Sequence, residues 1–383
     1  MKICAIICEY NPFHNGHAYL IAQAKERSDA DAVLCLMSGN FVQRGEASIL
    51  EKHIRARHAI FGGADAVIEL PTCFATSSAE IFAKGAIKIL SSIPEVRVLC
   101  FGTESAEKEE LLSAAKLLTN EPKEVSEKIQ DLLSKGVSYA KARAQAWSGL
   151  LPIDLLSSPN NILAIEYTKA IFSGNSSIDI LPVKRIGDGY LNEKSKSEYP
   201  SATAIRKAIQ QGISIHGIPE FVSSDLPTAI ENVLQTVEAY ALLNKSASEI
   251  ENTPDCSEGL ENALKNAVRQ GERNIAEKLT SARYTTSRLR RILLQNALNI
   301  TKSDIRDYLN ADLYLKVLAI NKNREDLLSS LGNAASPLLI RAHDEDKLCC
   351  EAKRCLKTDI FAEQLYSLLY PSEKKTNTIF IEK

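Results

Sequence analysis

Short runs of β-branched and other apolar residues alternate along this chain with longer stretches in which apolar positions recur every three to four residues. The runs at residues 3–8, 32–37, 66–70, 96–101 and 178–183 predict strands. Helices are expected from about His17, over 51–61, and in several pieces across 107–172, with breaks at Glu121-Pro122, Gly136 and Ser157-Ser158-Pro159. Strands and helices in alternation specify an α/β protein with a doubly wound parallel sheet, which binds ligands where the strand order reverses. The 107–172 region falls between the fourth and fifth strands and reads as a helical insertion. Pro200 and Ser201 open a further helix that carries Ile205 and Ile209.

Beyond about residue 224 the pattern turns mostly helical, over 229–243, 259–268, 288–298 and 303–309, while 313–320 and 336–342 are strands or buried turns. The charged tail 371–383 is expected to be loose. Two domains follow: 1–220, built on the parallel sheet, and 221–383, mostly helical.

A length of 383 residues with 45% hydrophobic content is enough to bury a large core. No stretch approaches the ~18 consecutive apolar residues of a membrane span, and the amino terminus enters a strand without a cleavage site, so cytoplasmic residence is expected. Of nine cysteines, Cys4, Cys8, Cys35, Cys73 and Cys100 lie in or beside apolar runs and read as reduced core residues. Cys349-Cys350 with Cys355 and His343 lacks the spacing of a zinc site, and no metal site is expected. The net charge of −2 carries no whole-chain mark of nucleic-acid binding, so any such surface must be located by position.

The densest chemistry lies at the start. Ile6-Ile7-Cys8-Glu9-Tyr10-Asn11-Pro12-Phe13-His14-Asn15-Gly16-His17 places a strand, a tight turn and a His-x-Gly-His helix start in succession. A turn of that kind points main-chain N–H groups and the positive end of a helix dipole at one spot, where a phosphate is attracted. The two histidines add protonatable donors. Taken alone the pair more often means capping and packing; its place after the first strand of an α/β pattern favours a ligand site. A hydrolase triad has no counterpart, since no G-x-S-x-G elbow is present.

This segment resembles the signature (H/T)-x-G-H of the HIGH-type nucleotidyltransferases, and more closely the tRNA(Met) cytidine acetate ligase family. Similar segments recur at Ser38-Gly39-Asn40-Phe41-Val42-Gln43-Arg44-Gly45-Glu46, at Phe101-Gly102-Thr103-Glu104, at Ser158-Pro159-Asn160-Asn161-Ile162-Leu163-Ala164-Ile165-Glu166-Tyr167 and at Arg283-Tyr284-Thr285-Thr286-Ser287-Arg288-Leu289-Arg290-Arg291. The resemblance implies a Rossmann-like fold and a ligase that activates acetate with ATP as acetyl-adenylate. Such a ligase would then acetylate N4 of the wobble cytidine of elongator tRNA(Met). His14 and His17 would be the catalytic donors to the phosphoryl oxygens. ATP would be bound by Ile7, Cys8, Glu9, Tyr10, Asn11, Pro12, Phe13, His14, Asn15, Gly16, His17, Gly102, Asn161 and Arg185. Ser201, Thr203 and Arg206 would join them, in a partial match to I-S-S-T-x-x-R with Pro200 and Ala202 in place of the isoleucine and second serine.

On the same basis, domain 1–220 would be the ATP-binding catalytic part and 221–383 the tRNA-binding part, with magnesium able to arrive bound to ATP. Arg283, Tyr284, Arg288, Arg290 and Arg291 are the expected tRNA contacts, weighed against a solvated helix face. Lys52 and Arg55, one helical turn apart, face either phosphate or solvent. Two other functions remain open: a small-molecule adenylyl- or cytidylyltransferase, and a non-catalytic RNA-binding protein with a structural ATP site.

Overall fold

A computed structural model describes residues 1–104, 107–137, 139–152, 155–156, 158–186, 198–227, 233–257, 259–340, 342–370 and 378–382. The expected strands form as β1 (Ile3–Cys8), β2 (Ala32–Ser38), β5 (Ala66–Leu70), β6 (Val96–Thr103) and β7 (Asp179–Lys184). Between β2 and β5 lies a short antiparallel hairpin of β3 (Phe41–Val42) and β4 (Glu46–Ala47). With β8 (Leu315–Asn321) and β10 (Ile379–Ile381), the main sheet runs β10-β8-β5-β2-β1-β6-β7, so chain order moves outward from β1 in both directions and reverses between β1 and β6. The neighbours from β5 through β7 pair in parallel, as the alternating pattern requires.

Successive residues of a strand point to opposite faces, and β1 shows both sides covered. Ile3 and Ala5 enter one core together with the helices Ala79–Ser91 and Pro159–Ser173. Cys4 and Ile6 enter the other, beneath the helices Asn15–Arg27 and Lys52–Phe61. Burial on both faces explains why the central strands read as continuous apolar runs rather than as alternation.

The insertion between β6 and β7 is helical, over Lys108–Thr119, Lys123–Ser134, Tyr139–Trp147 and Pro159–Ser173. It breaks at Pro122 and Gly136 as expected, while Ser157 lies outside the described residues. Ser201 caps the helix Ala202–Gln211, its Oγ accepting from the Ala204 N–H at 3.1 Å.

The sheet draws on both sides of residue 220. Leu313–Ile320, open in sequence between strand and turn, contains most of β8 (Leu315–Asn321), which pairs antiparallel with β5 and parallel with β9 (Leu338–Leu339). The tail expected to be loose carries β10 (Ile379–Ile381), paired in parallel with β8, whereas 371–377 lie outside the described residues. Charge ties β8 down. Glu69 of β5 meets Lys52 at 3.0 Å and Lys316 of β8 at 2.9 Å, and Lys52 also meets Glu363 at 2.7 Å.

A separate apolar cluster, with Leu242, Leu264, Leu289 and Leu293 among its members, organises the helices Leu234–Asn244, Leu260–Arg269, Ile275–Leu279 and Thr286–Ala297 into a helical unit. Its contact with the β3–β4 hairpin is intimate. Gly45 has φ +72°, and a Cβ there would lie 2.4 Å from main-chain atoms of Arg290 and Arg291.

Candidate active site

Where β1 ends, the segment from Glu9 to His14 is pinned from several directions. Glu9 accepts from the Gln43 N–H at 2.8 Å and Asn11 from the Ile49 N–H at 2.8 Å, which fastens the hairpin to the turn. Arg206 donates to the Asn11 carbonyl at 2.7 Å. Asn15 donates through its amide to the Gly217 carbonyl and through Nδ2 to the Glu198 carbonyl. Tyr10, at φ +49°, buries its ring edge-on against Phe13 at 4.9 Å and His17 at 4.8 Å.

His14 has extended backbone and caps the helix Asn15–Arg27: its Nδ1 accepts from the Gly16 N–H at 3.1 Å. His17 completes a reciprocal box, its Nδ1 accepting from the His14 N–H at 3.3 Å. An Nδ1 that accepts carries no proton, so each neutral ring holds its hydrogen on Nε2. The rings stack with centroids 3.6 Å apart. Burial, with a smaller contribution from Arg185, lowers the His14 pKa to about 3; burial and then the adjacent His14 ring hold His17 well below the usual histidine value.

Two expectations change here. The protonatable rings are held as neutral donors because burial disfavours the charged form of each, and at His17 the adjacent His14 ring adds to it. The main-chain amides are also not bare: those of Asn15, Gly16 and His17 all have acceptors within the protein. The positive end of the helix therefore reaches outward through the imidazoles, amide N–H to Nδ1 and then Nε2–H, dipoles that reinforce one another.

Both rings line a cleft of about 270 Å³ at the sheet's point of reversal. Its walls come from β1, β6 and β7, from the hairpin, and from the helices Pro159–Ser173 and Ala202–Gln211. Of the residues that the resemblance assigns to ATP, Ile7, Cys8, Glu9, Tyr10, Asn11, His14, Gly16, His17, Gly102, Arg185, Ser201, Thr203 and Arg206 line it; Pro12, Phe13, Asn15 and Asn161 do not. Arg44, Lys184, Arg185 and Arg206 give it positive charge. Glu9 is the carboxylate among its walls, its pKa raised by burial against the opposing pull of the Gln43 N–H and the arginines.

The HIGH Nucleotidyl Transferase family model matches residues 1–379. A tRNA(Met) cytidine acetate ligase of Acetivibrio thermocellus is 36% identical over 413 residues, covering 100% of this chain and 99% of that protein. One from Clostridium novyi is 33% identical, covering 100% of both. The chain belongs to the tRNA(Met) cytidine acetate ligase family. Among solved structures, Thermotoga maritima TmcAL (apo, form I) matches with a TM-score of 0.90 at 27% identity over 100% of both chains. The same protein bound with alpha-thio ATP matches at 0.86.

Within this member of the tRNA(Met) cytidine acetate ligase family, several expected residues support the site without lining it. Phe13 lies in the core beneath Gly62, and Asn161 is buried with its Oδ1 accepting from the Glu104 N–H at 3.1 Å. Its neighbour Asn160 lines the cleft instead. Gly16 and Gly102 serve neighbouring side chains: a Cβ would lie 3.0 Å from the His14 ring and 3.2 Å from Arg185 Cγ respectively.

Lys52 and Arg55 face neither phosphate nor solvent. Lys52 is held by Glu69 and Glu363, and Arg55 donates to the carbonyls of Leu50, Glu9, Ser38 and Gly39. Arg44 also lines the cleft, on a segment that the resemblance marks without assigning this residue.

The arginine cluster divides. Arg288 donates to the Asp255 carbonyl at 2.8 Å and to Ser257, Arg291 pairs with Asp255 at 3.4 Å, and Arg290 pairs with Glu46 and Glu277. These three hold the helix Thr286–Ala297 in place. Arg283 is exposed, its guanidinium 5.6 Å from the Tyr284 ring centroid. No helix among the described residues is long and apolar enough to cross a membrane.

Proposed function

We propose that this protein is an ATP-dependent tRNA(Met) cytidine acetate ligase. A carboxylate oxygen of acetate attacks the α-phosphorus of ATP, a P–O bond forms and pyrophosphate departs. The N4 amine of the wobble cytidine then attacks the acetyl carbonyl, AMP leaves with the electron pair of the broken C–O bond, and a proton leaves nitrogen. No protein nucleophile is required, because acetate and the amine act in turn. The protein's part is alignment and stabilisation of developing charge.

The observation that carries this reading is the stacked pair His14 and His17, each with Nδ1 taken by a main-chain amide and Nε2–H as its remaining donor. Fixed neutral donors suit phosphoryl oxygens whose charge rises in the transition state and need no reorganisation as it does. Arg44, Arg185 and Arg206 would neutralise the triphosphate, and magnesium would enter with it as part of the substrate. Phe101 and Leu163 supply apolar wall for the adenosine. We assign ATP to the part of the chain up to residue 220 together with the strands added from beyond it. The tRNA lies across to the helical unit, with Arg283 on its phosphates and Arg288, Arg290 and Arg291 shaping that surface from behind.

Acetate-dependent ATP–pyrophosphate exchange and transfer of labelled acetate into tRNA test the proposal. Both should be present, and His14→Asn, which keeps a capping oxygen, should lower exchange by about a hundredfold or more. Exchange that requires a phosphorylated metabolite rather than acetate would mark a small-molecule nucleotidyltransferase. Unchanged acetylation in His14→Asn and in His17→Asn would mean that the histidines are not catalytic.

A further inference from the structure

A second cleft of about 380 Å³ opens beside the first, and Arg44, Thr203 and Arg206 line both. One side belongs to the nucleotide fold, through the hairpin residues Gly45 to Ala47 and the helix Ala202–Gln211. The other belongs to the helical unit, through the helices Leu234–Asn244, Ile275–Leu279 and Thr286–Ala297.

The feature without a task is Glu238. It is 7% exposed, lines this cleft, and has neither a hydrogen bond nor an ion pair among the described residues. The acidic groups near it are otherwise engaged: Glu46 and Glu277 both pair with Arg290. A carboxyl buried without a partner costs stability unless something else compensates. Its surroundings combine apolar wall from Leu234, Ile275 and Leu293 with the ring of Tyr370, a lining suited to the flat face of a base.

We infer that the acceptor nucleotide inserts into this second cleft and that Glu238 reads the Watson–Crick edge of its cytosine, accepting a hydrogen bond from the exocyclic N4 amine. Burial raises the carboxyl to about 8 against the opposing influence of Arg290. At neutral pH it is then largely an acid, whose C=O accepts from N4–H while its O–H donates to N3. That pair of bonds fixes the amine that must attack while leaving its face open toward the shared wall at Arg206. The inference rests on the ligase reading above and adds a residue that determines how the acceptor is placed.

Glu238→Leu and Glu238→Gln separate this role from a structural one. A glutamine reproduces the acceptor and donor of the protonated acid, so it should retain transfer to tRNA within about threefold. Leucine removes both, and single-turnover acetyl transfer should fall about 10- to 100-fold, the range for loss of one bidentate base contact. Acetate-dependent ATP–pyrophosphate exchange should remain at the wild-type level in both variants. Binding of tRNA should weaken less than transfer, because most RNA affinity comes from backbone contacts. Transfer at the wild-type rate in Glu238→Leu, or an equal fall in exchange, overturns the assignment. A wild-type protein with no acetate-dependent exchange instead overturns the ligase reading, and this inference with it.

Discussion

Because both imidazole Nδ1 atoms accept main-chain hydrogens, a proton added to either ring must displace a hydrogen bond as well as enter a desolvated stack. That gives His14 a signature in stability. Its folded pKa of about 3 lies below the ordinary 6.5, so between those values the unfolded chain binds the proton and the folded chain does not. Stability is therefore intact above pH 6.5 and falls as the solution is acidified, by about 1.4 kcal/mol for each pH unit within that window. Urea unfolding of the wild type and of His14→Asn at pH 7.5 and 5.5 should show the wild type losing roughly that much more over the unit below 6.5. Parallel losses in the two proteins would show that His14 titrates normally. The His-x-Gly-His spacing was legible as chemistry in the sequence. Its protonation state was not, because that depends on which amides the folded turn leaves to the rings and on how much of the rings it buries.

At the scale of elements, the β3–β4 hairpin is a two-residue ladder that no periodicity could announce, and yet it carries Arg44 into the cleft and closes on the helical unit at Gly45. Gly45→Ala combines a left-handed backbone with a Cβ 2.4 Å from the Arg290 main chain. The conformation alone costs about 1–2 kcal/mol, and the clash adds to it. Thermal unfolding should shift down accordingly, and ATP–pyrophosphate exchange should drop with the displaced Arg44. An alanine variant with unaltered melting would mean that the hairpin tip yields freely. The arginine-rich helix Thr286–Ala297 shows the complementary difficulty: a run of cations looks like an RNA surface in sequence, but Asp255, Glu46 and Glu277 that claim them are distant along the chain.

For the whole molecule, the parallel core was readable from five apolar runs because strands buried on both faces are mostly apolar, with few polar residues such as Glu69 and Arg97. The three strands contributed by the carboxy-terminal part were not. Leu313–Ile320 is short enough to be strand or buried turn, and Ile379–Ile381 is three residues in a charged tail. β8, on which the others pair, is held by Glu69, whose carboxyl burial alone would raise but Lys316 and Lys52 hold down to about 2. Lys52→Met should strip one of those partners, leave carboxylates inside the protein, and destabilise the fold by about 3–5 kcal/mol. Arg283→Ala, on the surface, should change stability by less than about 0.5 kcal/mol. Equal denaturation midpoints for the two variants would remove the internal ion network from this account.

The hairpin tip seated against the Arg290 main chain has a thermodynamic corollary. A molecule gripping the outer helices that tilted that helix would carry Arg44 with it, and would then not bind independently of one occupying the cleft. Linkage then demands symmetry: whatever factor RNA applies to nucleotide affinity, nucleotide applies to RNA.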